Sequence, residues 1–539
     1  MATEPEAKGS DARPGPLTPA ARRRPAVPAE PGSDSARPEP ARPPPPTRDP
    51  AWNLSDELEG LEANAEHVDL YESAPPRAPL RTPPRTPLHP PLRPPRRPAP
   101  RPSAPAPPRE RSTPGVTAAV VSISLVTLAV LLQLASVLSS RSGSGAAAAG
   151  ISADASRTVV APGGRIELAG DGAPDRADLV LEVRRRAEGW SPVAEGRADE
   201  EGRFLLSGRV AAAPGRTSVR IRAVGAGVSA PVAVTVRPLR LASVGDINLG
   251  DAPGAAIETE GAEYPWESAG RPLRRADIAF GNLESAVSER GEPFPKEYTF
   301  RGTPEALAGL REHSGIDVLN LANNHVGDFG PTAMLDTVRG VERNGMKAVG
   351  AGPSLARALQ PQVVERLGLR VAFVGFSNIL PLEFAAEPGR PGVAWATPEA
   401  VAEGVGTARQ HADVVVATFH WGIEKAPYET AEQAELARIA ADAGAQLVIG
   451  AHPHVLQPMR RTGAALVAYS LGNFVFGAQS SETAATGVLV TDLSAEGVTA
   501  ARWRPGTIAS GRPILEERRP ERLPVADPDV MAAGVILGN

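Results

Sequence analysis

The 539-residue chain contains no cysteine. Disulfides, zinc–thiolate sites and thiol catalysis are therefore excluded. The absence is compatible with an oxidising compartment, where a stray thiol is a liability. Aromatic residues make up only 4% of the chain. Positive charge is not in excess either: the formal net charge is −5, which argues against a nucleic-acid partner. Proline and glycine, by contrast, number 58 and 53, an excess that rules out one uniformly compact globule. About half of the prolines precede residue 115. The remainder has an ordinary composition and is long enough to bury a real core.

Residues 1–115 are rich in Pro, Ala and Arg, with runs such as Arg42-Pro43-Pro44-Pro45-Pro46. Such a segment cannot bury enough apolar surface to offset chain entropy, and is expected to be a disordered, partly polyproline II tail. An island from Trp52 to Tyr71, with Leu54, Leu58 and Leu61, has the spacing of a short amphipathic helix. Residues 116–138 carry no charge. As a helix they would reach ~35 Å, enough to cross a bilayer. Arg93, Arg96, Arg97, Arg101, Arg109 and Arg111 precede this stretch, and only Arg141 follows closely. The positive-inside rule then predicts a single-pass cell-membrane protein with a cytoplasmic N-terminus and extracytoplasmic C-terminal domains.

Residues 139–154 form a Ser/Gly/Ala linker. Over 155–237 short apolar runs alternate with turn signals such as Gly163-Gly164, which suggests a small immunoglobulin-like β-sandwich. From 239 to 510 buried strands alternate with helices, the pattern of an α/β domain. Strands are expected at 241–244, 278–280, 318–321, 371–376, 414–419 and 447–449, and helices at 303–313, 331–344, 398–410 and 430–443. Beyond Ala465 strands are expected without helices, and residues 511–539 are read as a C-terminal extension.

Side chains able to bind metal gather at the ends of these strands. Asp246 follows the first; Asn282 and Glu284 follow the second; Asn323, Asn324 and His325 follow the third. His420 ends another, and His452 and His454 follow the last. Ligands of open α/β sheets bind beyond the carboxyl ends of strands. Any one of these residues alone is more often a core histidine, a cap or a solvated acid. Their joint placement is the layout of a metal site. In an extended segment His452 and His454 would point to the same side. Carboxylate, amide and imidazole ligands suit Mn, Fe or Zn, and a pair of ions could stabilise both attacking and leaving oxygens.

At these residues the sequence resembles the CapA family of poly-gamma-glutamate capsule synthesis proteins. The matching stretches are Ser243-Val244-Gly245-Asp246, Gly281-Asn282-Leu283-Glu284, Leu321-Ala322-Asn323-Asn324-His325, His420-Trp421-Gly422-Ile423-Glu424, Gly450-Ala451-His452-Pro453-His454 and Tyr469-Ser470-Leu471-Gly472-Asn473-Phe474. The family in turn resembles the calcineurin-like metallophosphoesterases, which implies a sandwich of two sheets flanked by helices. The resemblance implies divalent metal ions, one or two, held by Asp246, Glu284, Asn324, His420, His452 and His454. It assigns catalysis to His325 and substrate contacts to Asn282, Asn323, Glu424 and Asn473. Two positions depart from the phosphoesterase pattern: Asn248 stands where Asp-x-His is usual, and Gly281-Asn282 where Gly-Asp is usual. The implied function is that of a membrane-anchored capsule, or poly-gamma-glutamate, biosynthesis protein with a metal-dependent hydrolase-like site acting on an envelope polymer. The partners would be an anionic polymer such as poly-gamma-glutamate, the membrane and capsule synthesis subunits. Two alternatives stay open: a non-catalytic polymer-binding or export subunit, and a general envelope metallophosphatase.

Overall fold

The computed structural model describes residues 150–185, 188–525 and 529–531. The tail 1–115, its Trp52 to Tyr71 island, the stretch 116–138 and residues 139–149 of the linker lie outside the described residues. Among the described residues no helix is long and apolar enough to cross a membrane.

Strict alternation organises the first part. Phe204–Arg209 turns Phe204 and Leu206 inward and Leu205 and Ser207 outward, the period-2 signature of a half-buried strand. It joins Asp154–Ala155 and Arg165–Gly170 in a three-stranded sheet. A six-stranded sheet comprises Val159–Val160, Val232–Val236, Gly215–Ala223, Asp178–Arg185, Gly189–Arg197 and Gly227–Val228. Ile166, Leu168, Leu181, Val219 and Ile221 form the core shared by the two sheets. Gly189–Arg197 carries no apolar alternation, because it is an edge strand that pairs only with Asp178–Arg185 and is half exposed.

The second part begins at Leu239–Ile247, which is buried on both faces apart from Arg240. That is why it reads as a nearly continuous apolar run. It lies in a nine-stranded sheet, parallel to Ile278–Leu283, which continues in parallel to Val318–Asn320 and Lys347–Val349. Its other neighbour, Ala485–Ser494, runs antiparallel. A seven-stranded sheet places Leu369–Ser377, Val414–His420, Leu447–Ala451 and Ala465–Ala468 in parallel. The sheets pack face to face through Leu241, Phe280, Phe373, Val416 and Ile449, with the Phe280 and Phe373 rings stacked 5.9 Å apart. The outer face of the first sheet is covered by helices that include Pro304–Ser314 and Gly330–Arg343, and that of the second by Pro398–His411 and Ala431–Asp442.

Two local readings change. Asn473–Val475 is an added strand beside Leu239–Ile247, and the short helix Ser481–Ala484 follows it, so the region after Ala465 is not helix-free. Arg512–Leu515 and Glu521–Leu523 both pair with Gly497–Ala509, and Asp529–Met531 pairs with Met459–Thr462. The described part of the segment beyond residue 510 is woven into both sheets rather than extending from them.

The β-sandwich meets the α/β part where the parallel strands begin. The Ala161 and Arg165 backbone N–H groups donate to the Leu367 and Gly368 carbonyls, each at 2.8 Å, in the turn before Leu369–Ser377. Arg237 forks onto Asp277, just before Ile278–Leu283, at 2.7 Å through each nitrogen. Arg209 pairs with buried Asp413, just before Val414–His420. The opposite, carboxyl ends of these strands are left for the site.

Candidate metal centre

Four strand ends converge on one buried cluster. Asp246, in Leu239–Ile247, and Glu284, just past Ile278–Leu283, are both fully buried. His420 closes Val414–His420 and is also fully buried. His452 and His454 follow Leu447–Ala451. They do not lie in an extended segment: both backbones take positive φ, 94° and 58°. The chain turns sharply there and still brings both rings to the cluster, with centroids 5.8 Å apart. Left-handed backbone at non-glycine residues costs of order 1–3 kcal/mol each and collects at functional sites.

Glu284 is the centre. Neither carboxylate oxygen has a hydrogen-bond partner, although both are buried. Around its Oε1 stand His420 Nε2 at 3.3 Å, His454 Nε2 at 3.8 Å and His325 Nε2 at 4.0 Å. Two groups bring their ligand atoms within 4.8 Å of one another: Glu284, His452 and His454, and Asp246, Glu284 and His420. A buried carboxylate without partners is costly unless a cation completes it, so the residues present fit a divalent ion.

The electrostatics agree. Burial, then the Asp246 charge, holds Glu284 well above the ordinary carboxylate range. Burial pushes His420 down to about 3 and His452 well below the usual histidine value. Burial opposes charge on His454 too, but the Glu284 charge and the Asp246 hydrogen bond prevail and raise it to about 10. Asp246 is pushed up by burial but drawn down overall by His454 and His420.

The other expected residues divide. Asn324 Oδ1 lies 2.8 Å from His420 Nε2. Asn473 Oδ1 lies 2.9 Å from His454 Nδ1, while its amide donates to the Thr483 carbonyl at 3.2 Å. Asn282 donates to Asp246 Oδ1 at 2.8 Å and lies 3.2 Å from His420 Nδ1. Asn323 turns inward: it donates to the Leu283 carbonyl and accepts from the His325 and Val326 N–H groups. These bonds hold the His325 loop. Glu424 is exposed and acts on Glu284 and His454 through its charge. Asn248 Oδ1 caps the Gly250 N–H at 2.8 Å.

Three residues had no sequence motif to mark them. Asp328 Oδ2 lies 2.7 Å from His325 Nδ1, and Lys296 Nζ reaches Asp328 Oδ1 at 2.6 Å and the Asn324 carbonyl at 2.6 Å. Lys296 Nζ also lies 3.1 Å from His325 Nδ1, but the Asp328 carboxylate is the closer partner and only accepts, so His325 carries its proton on Nδ1 and leaves Nε2 bare toward Glu284. The His325 ring stacks on Phe300 at 4.1 Å. Asn320, fully buried, donates to Asn282 Oδ1 at 2.8 Å. Asp328, three residues after His325, offered a faint signal through its spacing. Lys296 offered none, because a long loop delivers it.

Residues 240–478 match the family described as Bacterial capsule synthesis protein PGA_cap. The chain is 35% identical over 236 residues to the PGA biosynthesis protein CapA of Bacillus subtilis, covering 43% of this chain and 62% of that protein. It is 29% identical over 283 residues to the capsule biosynthesis protein CapA of Bacillus anthracis, covering 51% and 69%. A probable polyglutamine synthesis accessory protein of Mycobacterium tuberculosis is 29% identical over 230 residues, covering 39% and 59%. The match therefore spans only about three-fifths to two-thirds of each relative's length. Among solved structures, the NAD nucleotidase of Haemophilus influenzae aligns at 12% identity, covering 50% of this chain and 56% of that one, with a TM-score of 0.32. That likeness is too low to carry an argument.

Proposed function

From the match of residues 240–478 to the bacterial capsule synthesis protein family, we propose that the chain is a membrane-anchored, metal-dependent hydrolase acting on an anionic envelope polymer such as poly-gamma-glutamate. The observation that carries the reading is the Glu284 carboxylate, buried without a hydrogen-bond partner among three histidines. Glu284, His452 and His454 would hold the cation, and their oxygen and nitrogen donors suit Mn, Fe or Zn. When bound, the ion would supply Lewis-acid polarisation of the scissile group. The anchoring rests on the uncharged stretch 116–138 and on the arginines before it. Capsule synthesis subunits would be the partners at the membrane.

His325 acts as the general base. Its bare Nε2 takes a proton from water, and Asp328 holds the Nδ1 proton and stabilises the imidazolium that forms. The water oxygen bonds to the acyl or phosphoryl centre, the bond to the leaving nitrogen or oxygen breaks, and His325 returns the proton to the leaving atom. Lys296 balances the Asp328 charge, and Phe300 fixes the plane of the ring.

The test uses the purified chain stripped with chelator and reloaded with Mn. Gamma-linked polyglutamate and a phosphodiester panel are then assayed for product release. Metal-dependent release that is lost in His325→Ala, with metal content kept, is expected. Unchanged metal content in both Glu284→Ala and His454→Ala variants would sink the reading. Metal and polymer binding without release would favour the non-catalytic subunit instead.

A further inference from the structure

The two candidate ligand groups are not equivalent, and the hydrogen bonds around them decide which takes a cation. A histidine ligates through a bare ring nitrogen while its other nitrogen donates to an oxygen outside the coordination shell. His454 is built this way. The Asn473 amide donates to the Thr483 carbonyl at 3.2 Å, so its oxygen faces His454 Nδ1 at 2.9 Å. The Nδ1 proton is thereby held, and Nε2 is the nitrogen that gives up its proton to ligate beside Glu284. His452 joins it with Nδ1 buried and unpartnered.

His420 is built the opposite way. Asn320 Oδ1 accepts from the Ala322 N–H at 3.2 Å, and its amide donates to the Ala322 carbonyl at 3.0 Å, so the orientation of Asn320 is fixed by backbone. Its second amide hydrogen goes to Asn282 Oδ1 at 2.8 Å. Asn282 must then present its own amide hydrogens to Asp246 Oδ1 at 2.8 Å and to His420 Nδ1 at 3.2 Å. His420 Nδ1 is an acceptor, which puts the neutral ring's proton on Nε2. That nitrogen faces Asn324 Oδ1 and Glu284 Oε1, at 2.8 and 3.3 Å. Freeing Nε2 for a metal would move the proton to Nδ1, against the Asn282 amide. Reversing Asn282 would set its oxygen against the Asp246 carboxylate and its amide against Asn320. Asp246, Asn282, Glu284, Asn320 and His420 are all buried, where a donor facing a donor has no water to turn to. Asp246 is also occupied: Oδ1 by Asn282, and Oδ2 by the His452 N–H at 3.3 Å and His454 Nδ1 at 3.4 Å.

We infer that the centre holds a single tightly bound divalent cation, on Glu284, His452 and His454, and that Asn282 closes the second position by locking His420 as a proton donor. Asn282 stands where a Gly-Asp pair is usual in the phosphoesterase pattern, and an aspartate there would accept rather than donate. The inference rests on the metal reading proposed above, and the experiment separates the two.

The full-length chain is stripped, reloaded with Mn or Zn, passed through gel filtration and assayed for metal per chain. One ion per wild-type chain is expected. His454→Gln should lose it, and His420→Gln should keep it. Asn282→Asp should raise the content toward two. Two tightly held ions in the wild type, or equal loss in His420→Gln and His454→Gln, would overturn the single-ion inference and leave the metal reading standing. No ion in the wild type would overturn both. The two histidine variants decide the matter even if Asn282→Asp does not fold.

Discussion

At the scale of single residues, the ring orientations matter as much as the ligand types. Asn473 touches no candidate metal position, yet it holds the His454 Nδ1 proton. Asn473→Ala should weaken metal binding about 10–100-fold by titration calorimetry, the usual cost of losing such a support. Unchanged affinity would count against the role. His420 yields a pH prediction for the metal-free protein. Its folded value of about 3 lies below the ordinary 6.5, so the fold favours the neutral ring. That contribution is complete above pH 6.5 and is lost as pH falls toward about 3. The melting temperature should fall over this window, and fall less steeply in His420→Gln. A parallel fall in both proteins would contradict the sign or the residue. The sequence disclosed the ligand-bearing positions, because Asp, Glu and His at strand ends are chemically distinctive. It did not disclose Asn320, Asp328 or Lys296. Asparagine on a strand, an acid one turn away and a lysine on a loop are ordinary until folding brings them to the same few ångströms.

At the scale of elements, buried strands were legible because both faces are apolar, as in Val414–His420, and helices because caps mark them. Thr430 caps Ala431–Asp442, and Gln433 reciprocates, so Thr430→Ala should cost about 1 kcal/mol in chemical denaturation. The strand Asn473–Val475 escaped notice because three residues carry no period. Its fit also depends on a glycine. A Cβ on Gly245 would sit 1.8 Å from the Gly472 carbonyl oxygen, while the Asp246 N–H donates to that same oxygen at 3.0 Å. Gly245→Ala must push the two strands apart. It should cost about 1–3 kcal/mol and lower metal affinity, since Asp246 moves with the strand. A stable variant with wild-type affinity would show that the crossing tolerates displacement.

At the scale of the whole molecule, the sequence separated a β-rich part from an α/β part by their different periods. It could not say how they meet, since the contacts join residues far apart in the chain. Asp413 makes one such joint: it accepts from Arg209 and from the Arg370 N–H, the latter at 2.9 Å. Asp413→Ala leaves these donors unpaired and should cost about 1–3 kcal/mol, read as a lower midpoint in denaturant. No change would mean that the backbone bonds at Leu367 and Gly368 suffice. The joint also sets a direction. Arg165 sits against Gly368, and the same strand ends at Gly170, beside Ser152 and Asp171. This contact with Gly368 lies at the amino end of Leu369–Ser377, whereas His420 closes Val414–His420, and His452 and His454 follow Leu447–Ala451, at the carboxyl ends of the neighbouring parallel strands. The sheet therefore keeps its anchor and its histidine cluster at opposite edges, so that a disturbance at the Arg165–Gly368 contact reaches the histidines only through the length of the parallel strands.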